Sequence, residues 1–173
     1  MRGYDFQDSI GFIINRTAKA LVKALDSELR ERVGISFSQW KVIVMLMNEN
    51  GLTQKDIADR LAVEGATLIP IIDKMQQEGF LIRKVDSTDR RNNRLYLTEK
   101  AGIKWNAMIH CALKIREISV KEIPEEEIKV MRKVLEKMWN NLGIYMHTDS
   151  ESVKTGKISN LSERSHKGRK LTA

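Results

Sequence analysis

The sequence predicts a mainly α-helical protein with one small β-wing, and three observations support that fold class. Apolar residues recur at three- and four-residue steps over most of the chain, as they do in amphipathic helices. Only two prolines occur in 173 residues, whereas an all-β protein with many turns normally uses more. One stretch, residues 80–98, is β-rich at both ends and polar in the middle, which predicts a single hairpin.

The first predicted helix is long and amphipathic, and Gly34 is a suitable residue to end it. Its apolar positions are Phe6, Ile10, Ile13, Ile14, Thr17, Leu21, Ala24, Leu25 and Leu29. Ser36-Phe37-Ser38-Gln39 is a capping box that opens a second helix through Met47. Asn50-Gly51 ends that helix, and residues 53–56 repeat the capping pattern for a third.

Residues 54–78 match a helix-turn-helix. Two short helices that cross steeply need a small residue at their contact, and Ala58 is suitable. The turn falls at Ala62, where many such motifs carry glycine. The second helix is predicted from Glu64 or Gly65 to Gln77, and its first residues would point at base edges in the major groove. An ordinary helical hairpin would have similar apolar spacing, so this segment alone leaves both interpretations open.

A β-hairpin is predicted directly after that second helix. Residues 80–85 are rich in β-formers, and residues 94–98 alternate polar and apolar side chains, as a half-buried strand does. The hairpin turns the motif into a winged helix-turn-helix, predicted over residues 35–98.

Two arginines occupy the tip of the predicted wing. Arg90 and Arg91 suit the minor groove, where the negative potential of DNA is concentrated. Asp89 is placed to hold the Arg91 guanidinium through a charge-assisted hydrogen bond. A solvated, charge-balanced surface hairpin is the alternative interpretation.

The last part of the chain predicts two more helices. Residues 99–120 form one, and Pro124 followed by three glutamates begins the other. In the last helix a strict 3-4-3-4-3 spacing predicts packing against other helices; its members are Ile128, Met131, Leu135, Met138, Leu142 and Tyr145. We expect residues 1–34 and 99–147 to be dimerisation helices, with an intrachain three-helix bundle as the alternative. A twofold dimer predicts a pseudo-palindromic DNA site.

Composition narrows the function classes. The net charge of +7 and pI near 9.5 favour nucleic acid as the partner. Cys111 is the only cysteine, so intrachain disulfides and zinc sites built on paired cysteines are excluded. The longest apolar run, residues 42–47, is far shorter than the ~20 residues needed to cross a bilayer. We therefore expect a cytoplasmic protein that has no membrane partner, metal or cofactor.

Catalytic motifs are not found. The sequence has no Gly-rich phosphate loop, nucleophile elbow or paired histidine–carboxylate constellation, so an enzyme is not expected. Residues 148–173 carry six basic and three acidic side chains, which predicts a disordered basic tail. That tail either aids solubility or adds nonspecific affinity for nucleic acid.

An ordered set of motifs resembles the MarR family of transcriptional regulators over roughly residues 6–147. The segments that carry the resemblance are residues 34–40, Leu52-Thr53-Gln54-Lys55-Asp56-Ile57-Ala58, residues 73–75 and 78–83, Asp86-x-x-Asp89-Arg90-Arg91, and Leu97-Thr98-Glu99-Lys100-Ala101-Gly102. Residues 64–68 are similar to the SlyA-like branch. The resemblance implies a homodimeric repressor or activator, often released by a small aromatic or phenolic ligand, and of the two we expect a repressor.

Site residues follow from the same resemblance. Base-facing positions would be Gly65, Ala66, Thr67 and Ile69, the minor-groove residue would be Arg90 or Arg91, and candidate phosphate contacts are Lys55, Lys74 and Arg83. Many relatives carry arginine or another polar residue where this chain has Pro70. Proline removes a hydrogen-bond donor, so wing and phosphate contacts are expected to matter more.

Two further residues have open interpretations. Arg16 interrupts an apolar stretch and would meet either an anionic ligand or an ion-pair partner. Cys111 lies inside a predicted helix as either a core residue or a thiol sensor. Two functions also remain as alternatives to the sequence-specific regulator: an architectural DNA-coating protein with low sequence specificity, and a winged-helix module that binds another protein.

Overall fold

The computed structural model describes residues 6–87, 89 and 92–155, with the backbone alone described for 144–155. The described part contains six helices and two strands: α1 Ile10–Arg32, α2 Phe37–Asn48, α3 Gln54–Leu61, α4 Gly65–Gln77, β1 Leu81–Val85, β2 Asn93–Leu97, α5 Glu99–Ser119 and α6 Glu125–Thr155. The mainly helical fold with a small β-wing is therefore confirmed. The chain divides into two compact units, with the boundary in sequence between Lys121 and Glu122.

Local capping determines where the first three helices begin. In α2 the Ser36 hydroxyl accepts the Gln39 N–H at 3.2 Å while the Gln39 side chain accepts the Ser36 N–H at 2.8 Å. In α3 Thr53 and Asp56 form the same reciprocal pair, at 3.1 and 2.8 Å. Each pair satisfies two backbone donors that a helix start leaves unpaired. The first helix begins at Ile10 rather than Phe6, because Ser9 caps it by accepting the Phe12 N–H.

The core of the first unit is built around α2. Val42, Ile43 and Leu46 are at most 1% exposed. They belong to one cluster with apolar residues of α1, α3, α4, α5 and both strands. The indole rings of Trp40 and Trp105 stack with centroids 5.5 Å apart. Burial of this continuous apolar surface is the main term that stabilises the unit.

α1 and α5 pack side by side. Leu29 on α1 and Met108 on α5 are both fully buried. At one edge of the contact the Lys114 ammonium lies 2.9 Å from both carboxylate oxygens of Glu28. This hydrogen bond is the main reason that the pKa of Glu28 is lowered.

The second unit is dominated by α6. The helix begins directly after Pro124, with three glutamates in its first turn, as the sequence predicts. It continues to Thr155, past the boundary between His147 and Thr148 that composition suggested. Residues 148–155 contain neither glycine nor proline, so nothing in the local sequence breaks the helix there. The remainder of the expected basic tail, residues 156–173, lies outside the described residues.

Candidate DNA interface

α3 and α4 form the predicted helix-turn-helix. Ala58 is 4% exposed where the two helices pack, and its carbonyl accepts the Val63 N–H at 3.0 Å. The turn residue Ala62 has φ 50° and ψ 48°, the left-handed conformation. α4 starts at Gly65 and stops after Gln77, which confirms both predicted ends. The small side chain of Ala58 therefore allows the close crossing that the motif requires.

One face of α4 is buried and the other is exposed. Leu68, Ile72 and Met75 are at most 2% exposed and anchor the helix in the core. The four residues predicted to face bases, Gly65, Ala66, Thr67 and Ile69, are all exposed. Pro70 lies inside the helix and is exposed as well. The first two turns of α4 are thus an accessible surface on a rigidly held helix.

The three candidate phosphate contacts differ in how they are held. Lys55 is exposed and borders a cavity of about 540 Å³ between α3, the start of α4 and the wing. Lys74 lies 3.7 Å from a carboxylate oxygen of Glu78. Arg83 forms an ion pair with Asp73 and donates to Gln76 at 2.5 Å, and only 25% of its side chain is exposed. Lys55 and Lys74 are therefore more accessible than Arg83 to an incoming phosphate.

The wing is an antiparallel pair in which Leu81 lies opposite Leu97 and Val85 opposite Asn93. Its inner strand, β2, is also bonded to the segment before α3. The Leu95 N–H donates to the Leu52 carbonyl at 2.9 Å, and the Gly51 N–H donates to the Leu95 carbonyl at 3.0 Å. The base of the wing is consequently fastened to the helix-turn-helix through backbone hydrogen bonds.

Arg94 joins three segments at the base of the wing, a role that the sequence did not predict. Its Nε lies 2.6 Å from a carboxylate oxygen of Asp86, and its Nη1 donates to the Gly51 carbonyl at 3.0 Å. Asp86 is only 4% exposed, so its charge requires such a partner. Gly51 lies 43 positions before Arg94 in sequence, and Asp86 lies at the other end of the wing loop, so neither pairing has a short-range sequence signal.

At the tip of the wing, the structure describes Asp89 and Asn92. The Asn92 backbone N–H donates to the Asp89 carbonyl at 2.9 Å, and its side-chain amide donates to the Asp89 carboxylate at 3.1 Å. Arg90 and Arg91 lie outside the described residues, so the hydrogen bond expected between Asp89 and Arg91 stays a prediction.

Gln54 is a second residue that the sequence did not single out. Its side-chain amide donates to the Gly65 carbonyl at 3.2 Å, which ties the start of α3 to the start of α4. It also borders the cavity beside Lys55. A polar side chain at this position is consistent with a role in orienting the first turn of α4.

Comparison with known proteins relates the winged helix-turn-helix to one family of regulators. The MarR family model matches residues 35–92, from the link before α2 through the wing loop. A MarR transcriptional regulator of Methanosarcina mazei Go1 has a crystal structure that superposes with a TM-score of 0.71 at 26% identity, covering 79% of this chain and 97% of that chain. Residues 35–92 are thus a MarR family domain.

Further relatives agree with this assignment. An uncharacterised HTH-type transcriptional regulator of Bacillus subtilis (strain 168), YwoH, is 29% identical over 114 residues, covering 66% of this chain and 82% of the relative. CouR from Rhodococcus jostii RHA1, crystallised with p-coumaroyl-CoA, has the same fold at 20% identity and a TM-score of 0.67, over 79% of this chain and 95% of that chain. The chain is similar to MarR-family proteins on both sides of this domain, and it is a DNA-binding transcriptional regulator and not an enzyme.

The chain exposes apolar surface on the helices that the sequence assigned to dimerisation. On α6, Trp139 is 71% and Met131 50% exposed. Other exposed apolar side chains there are Val130, Val134, Leu135 and Leu142, and on α1 they are Ile10, Ile13, Ile14, Leu21 and Val22. Of the predicted seam on α6, Ile128 and Met138 are half-buried, and the Tyr145 side chain lies outside the described part.

Two residues with open interpretations occupy different environments. Cys111 is fully buried, its thiol lies 3.8 Å from the Glu28 carbonyl, and burial raises the pKa of the thiol. This environment favours a core residue over a thiol sensor, because oxidation needs an accessible thiolate. Arg16 is exposed on α1, with its guanidinium 5.9 Å from the centroid of the Phe12 ring.

Neither a metal site nor a membrane-spanning helix is found within the described residues. There, His, Cys, Asp and Glu side chains form no cluster of three or more that could hold a metal ion. Among the same residues, no helix combines the length and apolar character that a bilayer crossing needs.

Proposed function

We propose that this regulator is a homodimeric, sequence-specific repressor acting in the cytoplasm on a pseudo-palindromic operator. The observation that carries the proposal is the exposed first half of α4, held by a buried face and flanked by the wing. In a helix-turn-helix these N-terminal residues contact base edges. A protein bound there represses when the operator overlaps the start of a gene.

The dimer is supported by the exposed apolar side chains of α6 and α1. Contiguous apolar surface on a soluble protein usually marks an interface. A twofold dimer places its two recognition helices about 34–36 Å apart, one turn of DNA, or a multiple of that spacing. Sedimentation should give twice the chain mass, and Trp139→Glu together with Met131→Glu should reduce it to the monomer mass. A monomer at micromolar concentration in the unmodified protein would exclude this arrangement.

Individual contacts are assigned as follows. Gly65, Ala66, Thr67 and Ile69 face bases, and Arg90 or Arg91 enters the minor groove with Asp89 positioning it. Lys55 and Lys74 contact phosphates; Arg83 contributes less, because Asp73 and Gln76 hold its guanidinium. Arg91→Ala should weaken operator binding by about 1–3 kcal/mol, measured by fluorescence anisotropy. Arg30→Ala, on α1 and paired with Asp26, is the control and should bind normally.

Release by a small aromatic or phenolic ligand completes the proposal. The support is that CouR, a protein with the same fold, was crystallised with p-coumaroyl-CoA. Arg16 is the candidate partner for an anionic group of the ligand. Phenols and aromatic carboxylates should be titrated against the protein–operator complex, with Arg16→Gln as the variant. No release by any compound would leave a constitutive repressor, and equal release from Arg16→Gln would remove Arg16 from the ligand site.

The architectural alternative is favoured by the charge of +7 and by the scarcity of polar side chains on the exposed start of α4. Selection of duplexes from a random pool, followed by titration across salt, separates the two functions. A regulator should prefer its selected duplex over a scrambled one by roughly 10³-fold or more. Equal and steeply salt-dependent binding to both duplexes would establish the architectural role.

A further inference from the structure

The exposed face of α4 has an unusual chemical character in its first two turns. At 100° per residue, Ala66 and Pro70 lie opposite the buried side chains Leu68 and Ile72. Ile69 lies on one flank of this outward face and is 47% exposed. The outward surface is therefore composed mainly of methyl and methylene groups, and we refer to Ala66, Ile69 and Pro70 as the apolar recognition patch.

Hydrogen-bonding side chains are scarce around the apolar recognition patch. Residues 65–70 contain one polar side chain, that of Thr67. The long side chains that recognise guanine or adenine through two hydrogen bonds are arginine, lysine, asparagine and glutamine. On α4 these begin only at Lys74, in the second half of the helix and near Glu78. The N-terminal half, which enters the groove, cannot make the usual paired hydrogen bonds to a purine.

Thymine alone among the bases presents an apolar group in the major groove, its 5-methyl group. An alkyl surface in that groove gains free energy by covering such a methyl, whereas it leaves the donors and acceptors of the other bases without partners. We propose that the apolar recognition patch selects thymines in each operator half-site by contacting their 5-methyl groups, with Ile69 as the principal contact. This inference rests on the proposed function and specifies the chemistry by which the regulator selects its operator.

The test replaces single thymines of the selected operator by deoxyuridine, which removes only the methyl group and keeps base pairing. Affinity for each duplex is measured by fluorescence anisotropy at one salt concentration. At one or more thymines of each half-site, the loss should be about three- to fivefold, as expected for uncovering one methyl group. Replacing the same T·A pair by C·G should weaken binding, and 5-methylcytosine at that position should restore part of the affinity.

The Ile69→Ala variant tests whether the effect of deoxyuridine on affinity arises at the apolar recognition patch. In this variant the unmodified operator should bind more weakly, and deoxyuridine at the contacted thymine should cause no further loss. Met47→Ala is the matched control, since Met47 is also exposed, at 40%, but lies on α2. It should retain the full deoxyuridine effect, and circular dichroism verifies that both variants are folded.

The outcomes separate the inference from the function it rests on. A strongly preferred operator that tolerates deoxyuridine at every thymine overturns methyl recognition and leaves the regulator intact, as does an operator without thymine under α4. An unchanged deoxyuridine effect in Ile69→Ala overturns the assignment to the patch. A pool that yields no preferred duplex removes both the inference and the sequence-specific function.

Discussion

The left-handed turn between α3 and α4 allows a quantitative test of how the sequence fits the fold. Ala62 adopts φ 50° and ψ 48°, a conformation that costs an L-residue roughly 1–2 kcal/mol relative to the right-handed region. Glycine adopts it without that cost, but loses about 0.5–1 kcal/mol more backbone entropy on folding. Ala62→Gly should therefore increase the free energy of unfolding by about 0.5–1 kcal/mol.

Two glycines elsewhere in the chain provide the reverse change. Gly34 has φ 81° and Gly79 has φ 72°, and a Cβ built at either position meets no atom within 4 Å. Substitution by alanine there isolates the backbone cost from any steric clash. Gly34→Ala and Gly79→Ala should each lower the free energy of unfolding by about 0.5–1 kcal/mol.

Urea unfolding followed by circular dichroism measures all three variants. With a slope near 2 kcal/mol per molar urea, Ala62→Gly should move the midpoint upward by about 0.3–0.5 M, and the two glycine variants should move it downward. One protein concentration must be used throughout, because association of subunits shifts apparent stability. A lower midpoint for Ala62→Gly, at an unchanged slope, would refute the conformational argument. Operator affinity should be unaffected, since the turn keeps its geometry.

Three further predictions follow from charges and burial. Hydrogen bonds from Thr53 lower the pKa of Asp56, so the ionised Asp56 stabilises the fold above a pH of about 4, and this stabilisation is lost as the pH falls further. Asp56→Asn should therefore weaken the fall of the melting temperature at acid pH. The same fall in the variant and the unmodified protein would contradict this. Asp86→Asn should destabilise the protein by about 1–2 kcal/mol in urea, because its buried carboxylate holds Arg94. The half-exposed Asp73 serves as its control, where Asp73→Asn should cost less than about 1 kcal/mol; equal losses would argue against the burial effect. Cys111 should react far more slowly with iodoacetamide in the folded protein than in urea, since burial raises the thiol pKa, and equal rates would count against its core position.

Local signals explain why much of the fold could be predicted from sequence. The capping residues Ser36 and Thr53 contact partners three positions along the chain, so the pattern that predicts each helix start is also its physical cause. The buried stripe of α4 repeats at three- and four-residue steps for the same reason. The exposure of Ala66 and Ile69 follows directly, because they lie outside that stripe.

Contacts between distant segments account for what the sequence did not predict. Arg83 was expected to contact a phosphate, but the turn at Gly79 brings β1 back beside α4, and Asp73 then pairs with it. Arg94 was not singled out in the sequence, because its contacts with Gly51 and Asp86 form only when the chain folds. The continuation of α6 to Thr155 was missed for another reason. The polar composition of residues 148–155 predicted disorder, whereas the absence of glycine and proline from this segment allows the helix to continue.

The backbone hydrogen bonds that join Gly51 and Leu52 to Leu95 have a consequence for how such a protein can evolve. They fix the near end of the hairpin, together with Arg94, independently of the loop at its far end. Insertions or deletions in residues 87–92, between Asp86 and β2, would therefore change the length of the wing without altering how α4 is held. A lineage can thus alter the wing loop while keeping the exposed surface of α4, because separate contacts anchor the two parts.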